Sequence, residues 1–212
     1  MSPERSRLSM PRPRNMALPD TEGAETRLDP RVERSRAAII EAAQAAVLEN
    51  GYRGLTIEDV SVRSGVAKTT IYRHWPDRAA LLVDVFESLS TSQTVPDTGD
   101  VDADLRTALL GLAEGLRSAA WAGAMPSLME AGERDDELRP LVVSFVERRR
   151  KPMRDRIAAA VTTGELPSGV EPDLAVAMLS GPLFYRRFIT RQPVSPRVVD
   201  AIVITVLAGL RA

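Results

Sequence analysis

The sequence predicts an all-α protein. Apolar residues recur at three- and four-residue spacing through most of the chain, and Gly and Pro fall where those runs stop and start. The one β-branched run, Ile202 to Val206, has no partner strand elsewhere, so it too is read as helix. With 212 residues, 44% hydrophobic and 27% charged, the chain can bury a substantial core and suits a small domain joined to a larger one.

Residues 1–29 carry four prolines, four arginines before residue 15 and almost no apolar periodicity, and are read as a disordered tail. A basic arm using Arg12 and Arg14 in a minor groove is the functional alternative, and Met16 is a second possible start. Asp29-Pro30 opens a first helix, whose Ile39, Ile40, Ala43, Ala46 and Val47 keep helical spacing until Asn50-Gly51. Thr56 caps a short second helix, with Glu58 and Asp59 near its positive end and Ile57 and Val60 facing inward. Gly65 breaks it, and a third helix runs from about Ala67 to Trp75. Pro76-Asp77 starts a fourth, with Leu81, Leu82, Val85, Phe86 and Leu89 on its apolar face.

Turn chemistry over 91–100 marks a linker between an N-terminal domain at 30–90 and a C-terminal domain at 101–212. Leu105, Ala108, Leu109, Leu112 and Leu116 give a fifth helix, and Pro126 is expected to open a short sixth around Leu128 and Met129. A periodic stretch from Asp136 to Thr163 is expected to kink or split at Pro152 and to end at Gly164. Asp173 to about Thr190 forms another helix, bent at Gly181-Pro182, and Ser195-Pro196 caps and opens the last, ending near Leu210.

Composition narrows the chemistry. No cysteine means no disulfide framework, thiolate metal site or thiol nucleophile, and one histidine rules out a two-imidazole site, so neither metal nor cofactor is expected. No apolar run reaches the ~18 residues of a membrane span, and the charged N-terminus does not read as a signal peptide, so a cytoplasmic protein without a membrane partner is expected. The net charge of -1 says little about nucleic acid, but residues 51–79 hold five bases against three acids. There is no Gly-rich phosphate loop or nucleophile elbow, and Asp135-Asp136 reads as solvated caps, which argues against an enzyme.

Two short helices joined at a glycine after a longer one match a helix-turn-helix. Val60, Val66, Ile71 and Leu81 can form one small core, leaving Lys68, Thr69, Thr70, Tyr72 and Arg73 on the other face of the third helix. Hydroxyls and cations suit phosphate oxygens and base edges. Tyr72 has a packing alternative, whereas Ile71 and Trp75 belong to the core. A helical interaction module that never touches DNA conflicts with this face.

The segment from Gly51-Tyr52 through Leu55-Thr56-Ile57 to Gly65-Val66-Ala67-Lys68-Thr69-Thr70-Ile71-Tyr72-Arg73-His74-Trp75-Pro76-Asp77-Arg78 resembles the DNA-binding domain of the tetracycline-repressor (TetR) family, over residues 34–86. The resemblance implies a homodimer that lays its third helices in the major grooves of a palindromic operator on double-stranded DNA, and a C-terminal domain that binds a small-molecule effector. By position, Thr56 resembles a phosphate contact, and Lys68, Thr69 and Thr70 resemble base-edge or phosphate contacts. Tyr72 and His74 resemble backbone clamps, Arg73 joins this DNA-facing set, and Arg78 stands where the family usually has a phosphate-pairing Lys. Three departures stand out: Val47 in place of an aromatic and Ser61 in place of Ala, which soften the small core, and Ala67 where a capping Ser is common.

The C-terminal half, including Gly164-Glu165-Leu166 and Gly181-Pro182-Leu183-Phe184-Tyr185-Arg186, is similar to a domain frequent among actinobacterial members of that family, whose last two helices form a four-helix dimer interface. Leu174, Met178, Leu183, Val198, Ile202 and Val206 are too many apolar groups for two terminal helices to expose, so they pack within the monomer or across a dimer seam; the resemblance favours the seam. Expected ligand-pocket residues are Trp121, Met125, Met129, Phe145, Met153, Met178, Phe184 and Phe188, with plain core as the alternative. Arg148-Arg149-Arg150-Lys151 reads as a solvated helix face, unless one arginine turns inward toward an anionic ligand. A repressor released by its effector is the favoured function, and a ligand-independent or activating regulator with the same DNA-binding domain is the alternative.

Overall fold

The structure, a computed structural model, describes residues 30–90 and 94–212. Among these residues there are only helices: α1 (Pro30–Gly54), α2 (Ile57–Ser64), α3 (Lys68–His74), α4 (Arg78–Leu89), α5 (Val101–Arg117), α6 (Ala119–Arg134), α7 (Arg139–Thr163), α8 (Pro172–Phe184), a π-helical turn (Tyr185–Ile189) and α9 (Pro196–Leu210). The expected tail, its basic arm and the Asp29 cap lie outside the described residues.

Local chemistry sets the N-terminal boundaries. Gly51 breaks α1 at φ 68°, as the Asn50-Gly51 pair predicts, but the chain resumes one more turn to Gly54. Gly51 also lies against α6, where a Cβ would stand 3.4 Å from Ser127 Oγ. The Thr56 hydroxyl accepts from the Asp59 amide at 3.1 Å, and Asp77 accepts from the Ala80 amide at 2.8 Å, capping α2 and α4. Gly65 ends α2 in the left-handed region at φ 68°, ψ 11°, where a residue with a Cβ would be strained.

Three expectations for the C-terminal half need correction. Pro126 does not open the sixth helix but lies inside α6, which begins at Ala119. An internal proline costs about 3 kcal/mol, and burial of Trp121, Ala124, Met125, Leu128 and Ala131 along that helix outweighs it. Pro152 does not split α7, which runs unbroken from Arg139 and starts three residues later than expected because Asp135 to Leu138 form a turn. The expected helix from Asp173 to Thr190 changes character at its end: Pro182 offers no amide hydrogen, and the chain widens into the π turn at Tyr185. Ser195 precedes α9 with its carbonyl accepting from Val198 and Val199, while its side chain makes no cap.

The two halves share one core. Helices α1 and α4 pack on α6, α4 also packs on α7, and α5 packs against both α8 and α9. A buried ion cluster pins the second half. Arg156 on α7 donates to Asp104 on α5 at 2.7 Å and to Glu165, just past α7, at 2.9 and 3.2 Å. Thr98 donates to Asp104 through its amide and hydroxyl, and the Val101 amide donates to Glu165. Gly164, at φ 82°, makes the turn that brings Glu165 back to Arg156, a physical reason for the Gly164-Glu165-Leu166 signature.

Candidate nucleic-acid interface and internal cavity

Around Gly65 the apolar and polar faces separate cleanly. Val60, Ile71, Trp75 and Leu81 are buried, with Val66 packed at their margin. Lys68, Thr69, Tyr72 and Arg73 are exposed, and Thr56, Thr70 and His74 are half-buried. Tyr72, 51% exposed, is therefore surface rather than packing. The Ser61 hydroxyl donates to the Val66 carbonyl at 2.8 Å, bracing the turn instead of softening the core. Val47 is 1% exposed and fills its core site. Ala67 leaves α3 without a side-chain cap, as expected.

Two cations on this surface have partners within the chain. Lys68 Nζ pairs with Glu58 on α2, and this bond holds the Glu58 carboxyl below its ordinary range. Arg78, expected to pair with phosphate, is half-buried: it donates to the Tyr52 hydroxyl, with its guanidinium 4.0 Å from the centre of the Tyr52 ring. Tyr52 in turn donates to Asp135 at 3.0 Å, linking α4 through the end of α1 to the α6–α7 turn. Burial and that bond to Asp135 push the Tyr52 phenol up, while accepting it holds Asp135 low. Sequence reasoning read Asp135 as a solvated cap; it also caps the turn by accepting from Glu137 and Leu138.

In the second half, five of the expected pocket residues, Trp121, Met125, Phe145, Met153 and Phe184, line a cavity of about 260 Å³ between α5, α6, α7 and α8. Leu112, Val146, Arg149, Arg150, Val176, Ala177 and Ser180 complete the wall. Three expected members lie elsewhere. Met129 is 55% exposed, because Leu128 and Ala131 take the inward side of α6. Met178 lies on the outer face of α8, and Phe188 stacks on Phe184 at 6.1 Å without reaching the cavity.

The cavity wall touches α4 directly. The Trp121 indole donates to Ser90 Oγ, at the C-terminal end of α4, at 2.8 Å. The ring of Phe145 meets that of Phe86, on α4, at 6.1 Å. The Glu87 carboxylate, also on α4, favours the charged form of Arg149 on α7.

The expected seam residues divide. Leu174 is 56% exposed and Val198 half-buried. Ile202 and Val206 are largely buried yet border a groove between α8 and α9. Leu183 is wholly buried in the monomer core and presents nothing to a partner: with Leu179 it forms the inward stripe of α8. The outward stripe is Leu174, Met178 and Tyr185, with Tyr185 sharing the groove with Ala201 of α9; Ile204 of α9 is also exposed.

A glycine-hinged helical pair with a polar, cationic outer face, joined to a second helical domain, defines a helix-turn-helix DNA-binding transcriptional regulator. Residues 39–85 match the family of bacterial regulatory proteins called the tetR family, and residues 95–206 match the tetracyclin repressor-like C-terminal domain. The chain belongs to the TetR family of transcriptional regulators, which are not enzymes. It is 31% identical to the HTH-type transcriptional regulator YdeS of Bacillus subtilis over 86% of this chain and 93% of that one. It is 28% identical to the DNA-binding transcriptional repressor TetR of Mycobacteroides abscessus, over 71% and 82% of the two chains. Among solved structures, the TetR family transcription regulator SCO0332 superposes with a TM-score of 0.66 at 30% identity, covering 83% of this chain and 98% of its own. No helix among the described residues is long and apolar enough to cross a membrane.

Proposed function

We propose that this chain is a dimeric repressor that a small molecule in the α5–α8 cavity releases from a palindromic operator. Lys68, Thr69, Thr70, Tyr72, Arg73 and His74 meet the major groove and its phosphates, with Thr56 at the adjoining backbone. The observation that carries the release is the contact of two cavity-wall residues, Trp121 and Phe145, with α4, which follows α3 after the short connection at residues 75–77. A ligand that rearranges this wall shifts α4 and with it the spacing of two recognition helices, set at about 34–36 Å or a multiple by the pitch of B-DNA. A 100-fold loss of affinity needs about 2.7 kcal/mol of preference for the displaced state, an ordinary coupling energy. The name of the Mycobacteroides relative supports the repressor sign.

The second subunit sits on the outward stripe of α8 and α9. Leu174, Met178 and Tyr185 recur at helical spacing, and Gly181 and Ala201 between them let two backbones approach closely. Ile204→Asp is expected to give monomers by light scattering and to lose operator binding with them; a dimeric variant would place the seam elsewhere. Lys68→Ala and Tyr72→Ala should each weaken operator binding by about tenfold in fluorescence anisotropy, with urea midpoints unchanged and the dimer intact. Unaltered DNA affinity in both would remove α3 from the interface.

A further inference from the structure

We propose that the α5–α8 cavity takes a small uncharged molecule built on an aromatic ring. This rests on reading the cavity as the effector site. At liquid density its 260 Å³ holds on the order of ten non-hydrogen atoms. Its walls are mainly aromatic and thioether. The rings of Trp121 and Phe184 stand 6.4 Å apart, tilted by 57°, and Phe145, Met125 and Met153 line the same space. Rings attract a further ring in offset or edge-to-face contact, and thioether sulfur favours ring edges. A flat aromatic guest therefore gains more here than a saturated one of the same size.

A charge on the guest meets no answer in this wall. None of the lining residues is acidic, and the two guanidiniums, of Arg149 and Arg150, repel a cation. An anion finds both already engaged. Arg150 donates to Glu147 at 3.1 Å and to Asp173 at 2.7 Å, and Arg149 has its own partner within the chain. A guest carboxylate has either to displace those partners or to leave water without a counter-charge, and the second is strongly disfavoured in apolar surroundings. The neutral donors are spent as well: the Trp121 indole donates to Ser90, and the Ser180 hydroxyl to the Val176 carbonyl at 2.7 Å. What the cavity offers is apolar and aromatic contact, which an uncharged guest takes without the desolvation of an ion.

The test uses the purified full chain at neutral pH with four probes of nearly equal size, followed by calorimetry and thermal shift. These are 3-phenylpropanol, its saturated form 3-cyclohexylpropanol, the anion 3-phenylpropanoate and the cation 3-phenylpropylamine. The phenyl alcohol is expected to bind about tenfold or more tightly than either ion, and severalfold more tightly than the cyclohexyl alcohol. Val176→Phe, which fills the cavity from α8, should abolish binding of the phenyl alcohol. An ion that binds as tightly as the phenyl alcohol, or a cyclohexyl alcohol that equals it, overturns the ligand class and leaves the cavity a ligand site. Unchanged binding in Val176→Phe puts the probe elsewhere and also overturns the proposal. No binding by any of the four, or by benzyl alcohol and 5-phenylpentanol, overturns both the ligand class and the reading of the cavity as an effector site. If Val176→Phe does not fold, the ranking of the four probes on the unaltered chain decides.

Discussion

Around Gly65 the polar side chains point outward from a small core made by the inner faces of α1 to α4. Between α5 and α8 the orientation is reversed: aromatic and thioether side chains point into a cavity, with Arg149 and Arg150 the charged residues of its wall. The first arrangement makes a convex surface suited to a polyanion. The second makes a concave apolar site suited to a small molecule. Helix α4 belongs to both, with Leu81 in the first core and Phe86, Glu87 and Ser90 against the cavity wall. The proposed release needs the two regions to differ in this way and to share an element whose displacement both can sense.

The largest effect that separates the two regions is expected at the buried ion cluster. Asp104→Ala leaves Arg156 buried beside a weakened set of partners and should cost about 3–5 kcal/mol in urea unfolding. Burial works against the charged form of Asp104, yet donation from Arg156 and Thr98 outweighs it and holds the carboxyl below its ordinary value. Glu165 is likewise held low by its bond from Arg156. Because both folded values are depressed, this stabilisation is complete above about pH 5, beyond the unfolded values of both groups, and is lost as the pH falls through the folded values. Urea midpoints measured from pH 6 downward should fall in that window, and less steeply in Asp104→Ala.

Next in size is the cap of α2. Thr56→Ala should destabilise by about 1 kcal/mol in the same assay, and Thr56→Ser should restore most of it, since either hydroxyl can accept from Asp59. A cost near zero would mean that Thr56 serves DNA alone. The smallest effect is expected at Glu58. Glu58→Gln frees Lys68 from its ion pair and removes an acid beside the DNA-facing surface, and should tighten nonspecific DNA binding about two- to threefold at low salt. Weaker binding would show that the pair instead positions Lys68.

These differences also govern what the residues alone disclosed. Thr56, Gly65 and Asp77 act on neighbours within three or four positions, so the boundaries of α2, α3 and α4 could be read from the chain. The cavity gathers residues from four helices, and only its bulky members announced themselves; Leu112 and Val176 look like any core residue until the helices are packed. Met125 and Met129 occupy the same helix with opposite fates, because packing chose Leu128 and Ala131 for the inner side. Helix α8 is apolar nearly all round, so its periodicity could not say that Leu179 and Leu183 face inward while Leu174 and Met178 face out. Arg78 was placed correctly on its helix, yet its stacking on Tyr52 depends on where α1 resumes after Gly51.

Selection of duplex DNA from a random pool by the full chain measures most directly whether the face of Lys68 to His74 reads a groove twice over. A two-fold symmetric sequence should emerge, with half-sites about one helical turn apart and an affinity that falls steeply with salt. Enrichment of no sequence, or of a single unpaired half-site, would contradict a symmetric pair of recognition helices.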